Sequence, residues 1–426
     1  FSFVGMETEE IPVAGKTIIN VVMSESSIAL QEVVAIGYGT MKKSDLTGAV
    51  SSVSSRDFIN MASSSSNSIL AAKAPGVTIR KSNAAPGVAP IIRVRGANSL
   101  MGSNDPLIVV DGNYGSLPDM YEIESIEILK DASATAIYGS RGANGVILVT
   151  TKRGSQKKPT LEFYSDFSIN TIGKRYDLMD AYEFAKFNQS VGAYPFTDAE
   201  VEKFKNGGGT DWQDAILQSG LSQSYRVIFS GGSKDIRYHI TTHYNDNTGT
   251  IRNTEASDYG LKAKVDMDLS NRLTVQVEAS AGHNDNLNPE LSQGGSKTAI
   301  PLMAAVAFSP TVPIYDENGR YTPLGVGSGT LMNPVLMTEA HQRNYGNGAT
   351  GVGNLQFKIT DDLTLNAKAL ISLSNGGTRE FESLEYNRLY PRADQYSYDN
   401  KNWLTNAFLT YSKTFANNHD FSAMVG

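Results

Sequence analysis

Cysteine is absent from the 426-residue chain, which removes disulfide staples, thiolate metal sites and cysteine nucleophiles together while leaving the compartment open. Tryptophan is scarce, at 2 residues. No apolar run approaches the roughly 18 residues of a membrane-spanning helix. That gap does not exclude a membrane crossed by strands, whose alternation leaves little hydropathy signal. Positive charge is not in excess either. A formal net charge of -7 with both signs interspersed offers no basic stripe to a polyanion, so nucleic acid is not an expected partner. An initiator methionine and a leader are missing at Phe1, and the chain reads as processed or incomplete at its front.

What is present is glycine (39), tyrosine (20) and phenylalanine (16), a mix that suits strands and turns, in a length that calls for two or more domains. Residues 1–31 alternate through Ile11, Val13, Ile18, Val21 and Met23 and read as the last strands of a small β-sandwich. Gly15-Lys16-Thr17 falls short of a phosphate loop because Glu10 stands where the upstream glycine belongs. Glu32, Val33, Val34, Ala35, Ile36, Gly37, Tyr38 and Gly39 form an extended-prone run. Two readings fit it: a buried strand of the preceding domain, or a strand offered to the open sheet edge of a partner. Between 45 and 154 the pattern is mixed, with strands expected at 77–80, 91–95 and 107–110 and a helix around 65–73. Arg93 and Arg95 alternate with Ile92 and Val94, so they share a face that is either solvated or set against charged neighbours. The longest loop runs from Ala97 to Asp105, and Asp111-Gly112 signals a tight turn. Ile123 to Gly154 reads as strand, Ala-rich helix begun at Asp131, and a second strand at 146–151.

After Gly154 the period is two. Leu261, Ala263, Val265, Met267 and Leu269 alternate with Lys262, Lys264, Asp266 and Asp268, Asn271-Arg272 turns the chain, and the alternation resumes through Leu273, Val275 and Val277. Similar hairpins recur around 231–235 and 361–362. The links between expected strands alternate long and short: 171–221, 230–235, 245–257, 271–272, 282–351, 361–362, 374–402 and 416–418. A soluble sandwich has no reason to keep that parity, whereas an outer-membrane barrel has short turns on one side and long loops on the other. About nine strands are expected, which is too few to close such a barrel, so its remainder is expected beyond Gly426. Helical pieces at 180–190 and 198–205 belong to the first long link. Signals for chemistry are fragmentary. Ser155 to Lys158 meets Ser-x-x-Lys without its companion motifs, His239 and His243 share a strand face without a third ligand, and Asp316-Glu317-Asn318-Gly319 reads as a turn rather than a calcium loop. No catalytic residue, metal site or cofactor is expected, and no enzyme.

The ordered motifs EVVAIGYGT (32–40), APGVTI (74–79), IRVRGANSL (92–100), PLIVVDG (106–112), IESIEILKDASATAIYGSRGANGVILVTTKRG (123–154), TDWQDAI (210–216), SGGS (230–233) and SPTVPIYDENGRY (309–321) together resemble the SusC-like, SusC/RagA-type branch of the TonB-dependent outer-membrane transporters of Bacteroidetes. The resemblance implies a mostly β protein: an N-terminal mixed α/β plug domain inside a transmembrane antiparallel β-barrel, of which this chain holds the first part. It implies the tail of a carboxypeptidase-regulatory-like domain at 1–31, a TonB box and linker at 32–44, the plug at 45–154 and barrel strands with long extracellular loops at 155–426. Glu32 to Gly39 then becomes the TonB box, and Arg93 and Arg95 become plug contacts to barrel carboxylates. Asn98, Ser99, Ser103, Asn104 and Asp105 fall on a plug loop that faces substrate. Implied partners are TonB with ExbB and ExbD, a SusD-like surface lipoprotein and outer-membrane lipid. The implied activity is import of an oligosaccharide or a peptide across the outer membrane of a bacterial cell, with a non-energised porin or adhesin as the competing reading.

Overall fold

The computed structural model describes residues 21, 33–36, 39–42, 50–55, 70, 74–80, 85–88, 90–94, 96, 103–131, 135–194, 196–205, 207–288, 300–322, 332–387, 391–415 and 419–426. The chain divides into two compact units, residues 1–80 with 90–152 and residues 81–89 with 153–426. Apart from residue 21, the β-sandwich tail expected at 1–31 lies outside the described residues, as does most of the helix expected around 65–73, of which Leu70 is helical and buried.

In the first unit β1 (Val33–Ile36) and β2 (Gly39–Lys42) form a two-stranded antiparallel sheet. A five-stranded sheet has the order β3 (Val50–Ser54), β8 (Ile123–Leu129), β9 (Val146–Thr151), β6 (Leu107–Val110), β7 (Asn113–Tyr114), and β4 (Val77–Arg80) pairs with β5 (Ile91–Val94) separately. The five-stranded sheet carries an apolar cluster on each face, which is why β9 is a near-continuous apolar run, whereas β8 still places Glu124, Ser125 and Glu127 among its apolar residues. Ile126, Ile128, Ile147 and Val149 pack with Val53, Leu70, Ile92 and Val94 in one cluster, and Val109, Leu129, Val146 and Leu148 form another. Asp111 (φ 47) and Gly112 (φ 76) both take left-handed conformations, the requirement of the tight hairpin turn that joins β6 to β7. The Asp111 carboxylate accepts the Thr151 N–H at 3.0 Å and the Thr151 hydroxyl, tying this turn to the end of β9.

The helix expected from Asp131 is cut short by glycine, as its sequence implies. Thr135 N–H donates to the Asp131 carbonyl at 3.0 Å, and residues Ala136–Gly142 form a 3-10 run broken at Gly139, with φ 58 and ψ -144. Gly139 and Gly142 within that run, with Gly145 (φ 90) just beyond it, end the helix.

The second unit is a nine-stranded antiparallel sheet in sequence order: β10 (Thr160–Asn170), β11 (Gly220–Gly232), β12 (Ile236–Thr248), β13 (Glu255–Ser270), β14 (Leu273–Asn288), β15 (His341–Lys358), β16 (Leu363–Glu382), β17 (Arg392–Phe415) and β18 (His419–Val425). The links are 171–219, 249–254, 289–340 and 383–391 on one side and 233–235, 271–272, 359–362 and 416–418 on the other, so the parity survives with longer strands. Long strands replace parts of the expected loops because backbone pairing continues through Asn- and Gly-rich registers such as Asn347↔Asn375 and Gly376↔Tyr398, where no apolar alternation marks it.

Register aligns the two faces across the whole sheet. One row runs Leu161, Phe229, Ile240, Ala263, Ala279, Gly351, Ile371, Trp403, and a neighbouring row on the other face runs Ser230, His239, Lys264, Glu278. Leu161 and Trp403 are 72% and 77% exposed while Lys264 is 3% exposed, so the apolar face is the open one. The long links carry α1 (Ala181–Val191), α2 (Asp198–Lys205), α3 (Trp212–Ile216), α4 (Pro301–Ala307), α5 (Pro334–Thr338) and α6 (Leu384–Asn387). Asp180 caps α1 by accepting the Glu183 N–H, and Glu183 returns the bond to Asp180 N–H, the capping box that sets where this helix starts. No helix among the described residues is long and apolar enough to cross a membrane.

Candidate functional site

Each unit carries candidate functional residues of its own. In the first unit, Val33 to Ile36 lie in a strand whose one edge is taken by β2, in the register Val33↔Lys42 to Ile36↔Gly39. Glu32, Gly37 and Tyr38 fall outside the described residues.

Ser103 and Asp105 come together with Arg93. The Arg93 guanidinium pairs with Asp105, and the Ser103 hydroxyl donates to the other carboxylate oxygen at 2.7 Å. Asn144, which sequence reasoning did not single out, donates to the Ser103 carbonyl at 2.9 Å and so pins this loop to the segment before β9. The Ser103 hydrogen bond, followed by that of Arg93, holds the Asp105 carboxyl below the usual carboxylate range. Arg93, expected to reach carboxylates of a surrounding wall, therefore has an acidic partner in its own unit. Asn104 is half-buried next to this pair, and Arg95, Asn98 and Ser99 lie outside the described residues.

In the second unit the two longest links form one body. Trp212 is 2% exposed, donates its indole N–H to the Ser309 carbonyl at 2.9 Å, and sets its ring edge-on to Phe308 at 4.8 Å. Thr210 donates its backbone N–H to the Pro310 carbonyl at 2.9 Å and its hydroxyl to Val312 at 2.7 Å. Asn333, fully buried, accepts from Val335 and Leu336 N–H as the cap of α5 and donates to the Ile314 and Thr322 carbonyls. The sequence motifs 210–216 and 309–321 are thus the two halves of one interface, a juxtaposition that spacing alone does not signal. A cleft of about 700 Å³ opens beside them, with Tyr176, Phe184, Phe204, Trp212 and Phe308 in its lining.

The fragments of other chemistries are absorbed by structure. His243 pairs with Asp258 at 3.1 Å and His239 with Thr241 at 3.3 Å. The Asp316 carboxylate accepts the Asn318 and Arg320 N–H groups, each at 2.9 Å, which makes 316–320 a turn. No cluster of three metal-ligating side chains exists among the described residues.

The family described as TonB-dependent Receptor Plug Domain matches residues 42–146. TonB-dependent receptor P3 of Formosa agariphila is 35% identical over the whole of this chain, which spans 42% of that protein. TonB-dependent receptor SusC of Bacteroides thetaiotaomicron is 31% identical over 85% of this chain and 34% of its own length. The chain is similar to TonB-dependent receptors over its whole length. The chain spans less than half the length of each of these receptors. Among solved structures, the RagAB peptide importer in its open-open state superposes with a TM-score of 0.78 at 22% identity, covering 92% of this chain and 48% of that one. Residues 42–146, which include the five-stranded sheet, match the plug-domain family, and the nine antiparallel strands have the fold of part of a β-barrel of that kind.

Proposed function

We propose that this chain belongs to a SusC-type active importer of a large nutrient, an oligosaccharide, across the outer membrane of a bacterium. The observation that carries this reading is the nine-stranded sheet with an open apolar face, a polar face and strictly alternating link lengths, in one chain with a plug domain. On this reading the row from Leu161 to Trp403 meets lipid and the row through His239 and Lys264 faces an aqueous lumen. The plug closes the lumen, β1 is the TonB box handed to TonB and driven through ExbB and ExbD, and a SusD-like lipoprotein captures the solute outside. Arg93 and Asp105 hold the plug loop, whose Ser103 and Asn104 face the substrate on this reading. Neutral hydroxyl and amide side chains on the polar face, among them Ser280, Asn284, Asn286 and Thr350, suit a hydroxylated solute. A peptide is the second reading, favoured by the likeness to the RagAB peptide importer.

In the full-length protein, deleting 32–39 should abolish uptake of labelled oligosaccharides while leaving outer-membrane abundance at the parental level. Undiminished uptake would sink the energised mechanism, a steady conductance of the intact protein in planar bilayers would favour a porin, and competition by peptides alone would favour the second reading.

A further inference from the structure

The hand-off from the plug domain to the sheet takes place across one peptide bond. Lys152 N–H donates to the Glu122 carbonyl at 2.7 Å, inside the first unit. The next residue, Arg153, places its guanidinium 2.8 Å from Asp266 on the polar face of β13, inside the second unit. The strap that follows is laid flat on the sheet. At Gly154 an added Cβ would come within 2.3 Å of the Tyr238 backbone nitrogen, so only glycine allows the approach. Gly232 N–H donates to the Lys157 carbonyl at 3.0 Å, and Pro159 packs against Gly231 before β10 begins.

Asp266 is nearly closed to solvent, with a side chain 6% exposed against 32% for Arg153. Its cross-strand neighbour is Arg237, but that guanidinium bonds Asp268 at 2.8 Å, which leaves Arg153 as the bonded cation of Asp266 among the pairs formed here. A charge-assisted bond to a buried carboxylate is the strongest kind of lateral hold a short strap can have. The contacts of Arg153, Gly154 and Lys157 sit at the short-turn end of β11 to β13, next to link 233–235.

We infer that the Arg153–Asp266 pair is a force-bearing anchor: a pull on β1 travels through the plug domain and ends at this pair, so the strap stays on the wall and the plug reseats from a fixed point. The inference rests on the proposed reading that β1 is pulled and that residues 42–152 close a lumen.

The test uses the full-length protein in its host and reads entry of vancomycin, a solute too large for an intact outer membrane. Arg153→Ala, made on the solvent-facing side of the pair, should raise entry about tenfold, the scale expected when one charge-assisted bond to a buried group is lost. Asp266→Asn should do the same, and Arg153→Lys should stay within about twofold of the parent because the charge is kept. The rise should vanish when 33–36 are deleted. Entry unchanged in Arg153→Ala at parental abundance overturns the anchor, and so does a rise that persists without 33–36, which would mark a static defect. Deleting 42–152 separates the two levels: if that protein admits no vancomycin, the plug reading itself fails, and if it does while Arg153→Ala does not, only the anchor is lost.

Discussion

Trp212, Asn333 and Asp105 show how single side chains fix the non-strand parts of this molecule. Trp212 combines near-complete burial with an indole bond to Ser309, so Trp212→Ala should cost about 3 kcal/mol or more through the cavity alone. Trp212→Phe keeps most of the volume and loses the indole bond to the Ser309 carbonyl, which still accepts the Val312 N–H, at about 1 kcal/mol. Protease cleavage within 289–340 should speed up in the order parent, Phe, Ala, and equal rates would show that the two links do not depend on this residue. Asp105 carries the pH prediction. Its carboxyl is depressed in the folded state, so its contribution is fully present above the ordinary carboxylate value of about 3.9 and is lost as pH falls through the lower folded value. Hydrogen exchange at residues 103–105 should therefore be flat, after correction for intrinsic rates, from neutral pH to about pH 5 and show loosening only in stronger acid. The Asp105→Asn protein should show no such acid step. Because the pair with Arg93 is largely exposed, the effect belongs to the loop and not to global stability.

At the scale of elements, sequence and structure agree where a side-chain pattern reports the environment directly. The buried β-branched run at 146–151, the Asp-Gly turn at 111–112 and the hairpin turn at 271–272 were all legible, since each is decided by residues adjacent in the chain. The packing of 210–216 on 309–321 was not, because its contacts join residues about a hundred positions apart through backbone carbonyls that every residue possesses. For the same reason Asp266 could be placed on the polar face of its strand but not matched to Arg153. The strand β1 offers its own prediction. Successive backbone N–H groups of a strand point to opposite edges, and β2 occupies one of them. Proline at 34 and proline at 35 therefore remove donors on different edges. One of Val34→Pro and Ala35→Pro should abolish uptake by blocking the free edge, while the other opens the hairpin and leaves uptake largely intact. Equal uptake in both variants would show that TonB does not bind by strand addition.

For the whole molecule, parity of the links converts into orientation. An epitope placed in 192–197 should be labelled on intact cells, whereas one in 233–235 should need permeabilised cells, and the reverse pattern would invert the sheet in the membrane. Strand length adds to this. At roughly 3.3 Å per residue, a strand of the length of β16, 20 residues, far exceeds an apolar band about 25 Å tall, so on the proposed reading its long-link end should project beyond lipid. Composition understated the sheet because the registers next to the long links are rich in Asn, Gly and Ser, which signal loops in a sequence and here continue the pairing.

The joined long links also constrain how such a protein can diverge. Link 171–219 brings Thr210 and Trp212, and link 289–340 supplies the carbonyls that receive them and the Asn333 that organises the far side. A chimera that takes only one of the two from a relative would separate donor from acceptor. Exchange of the pair together preserves the bonds between them, so the two segments should be inherited as a single cassette even though the four strands β11 to β14 lie between them in the sequence.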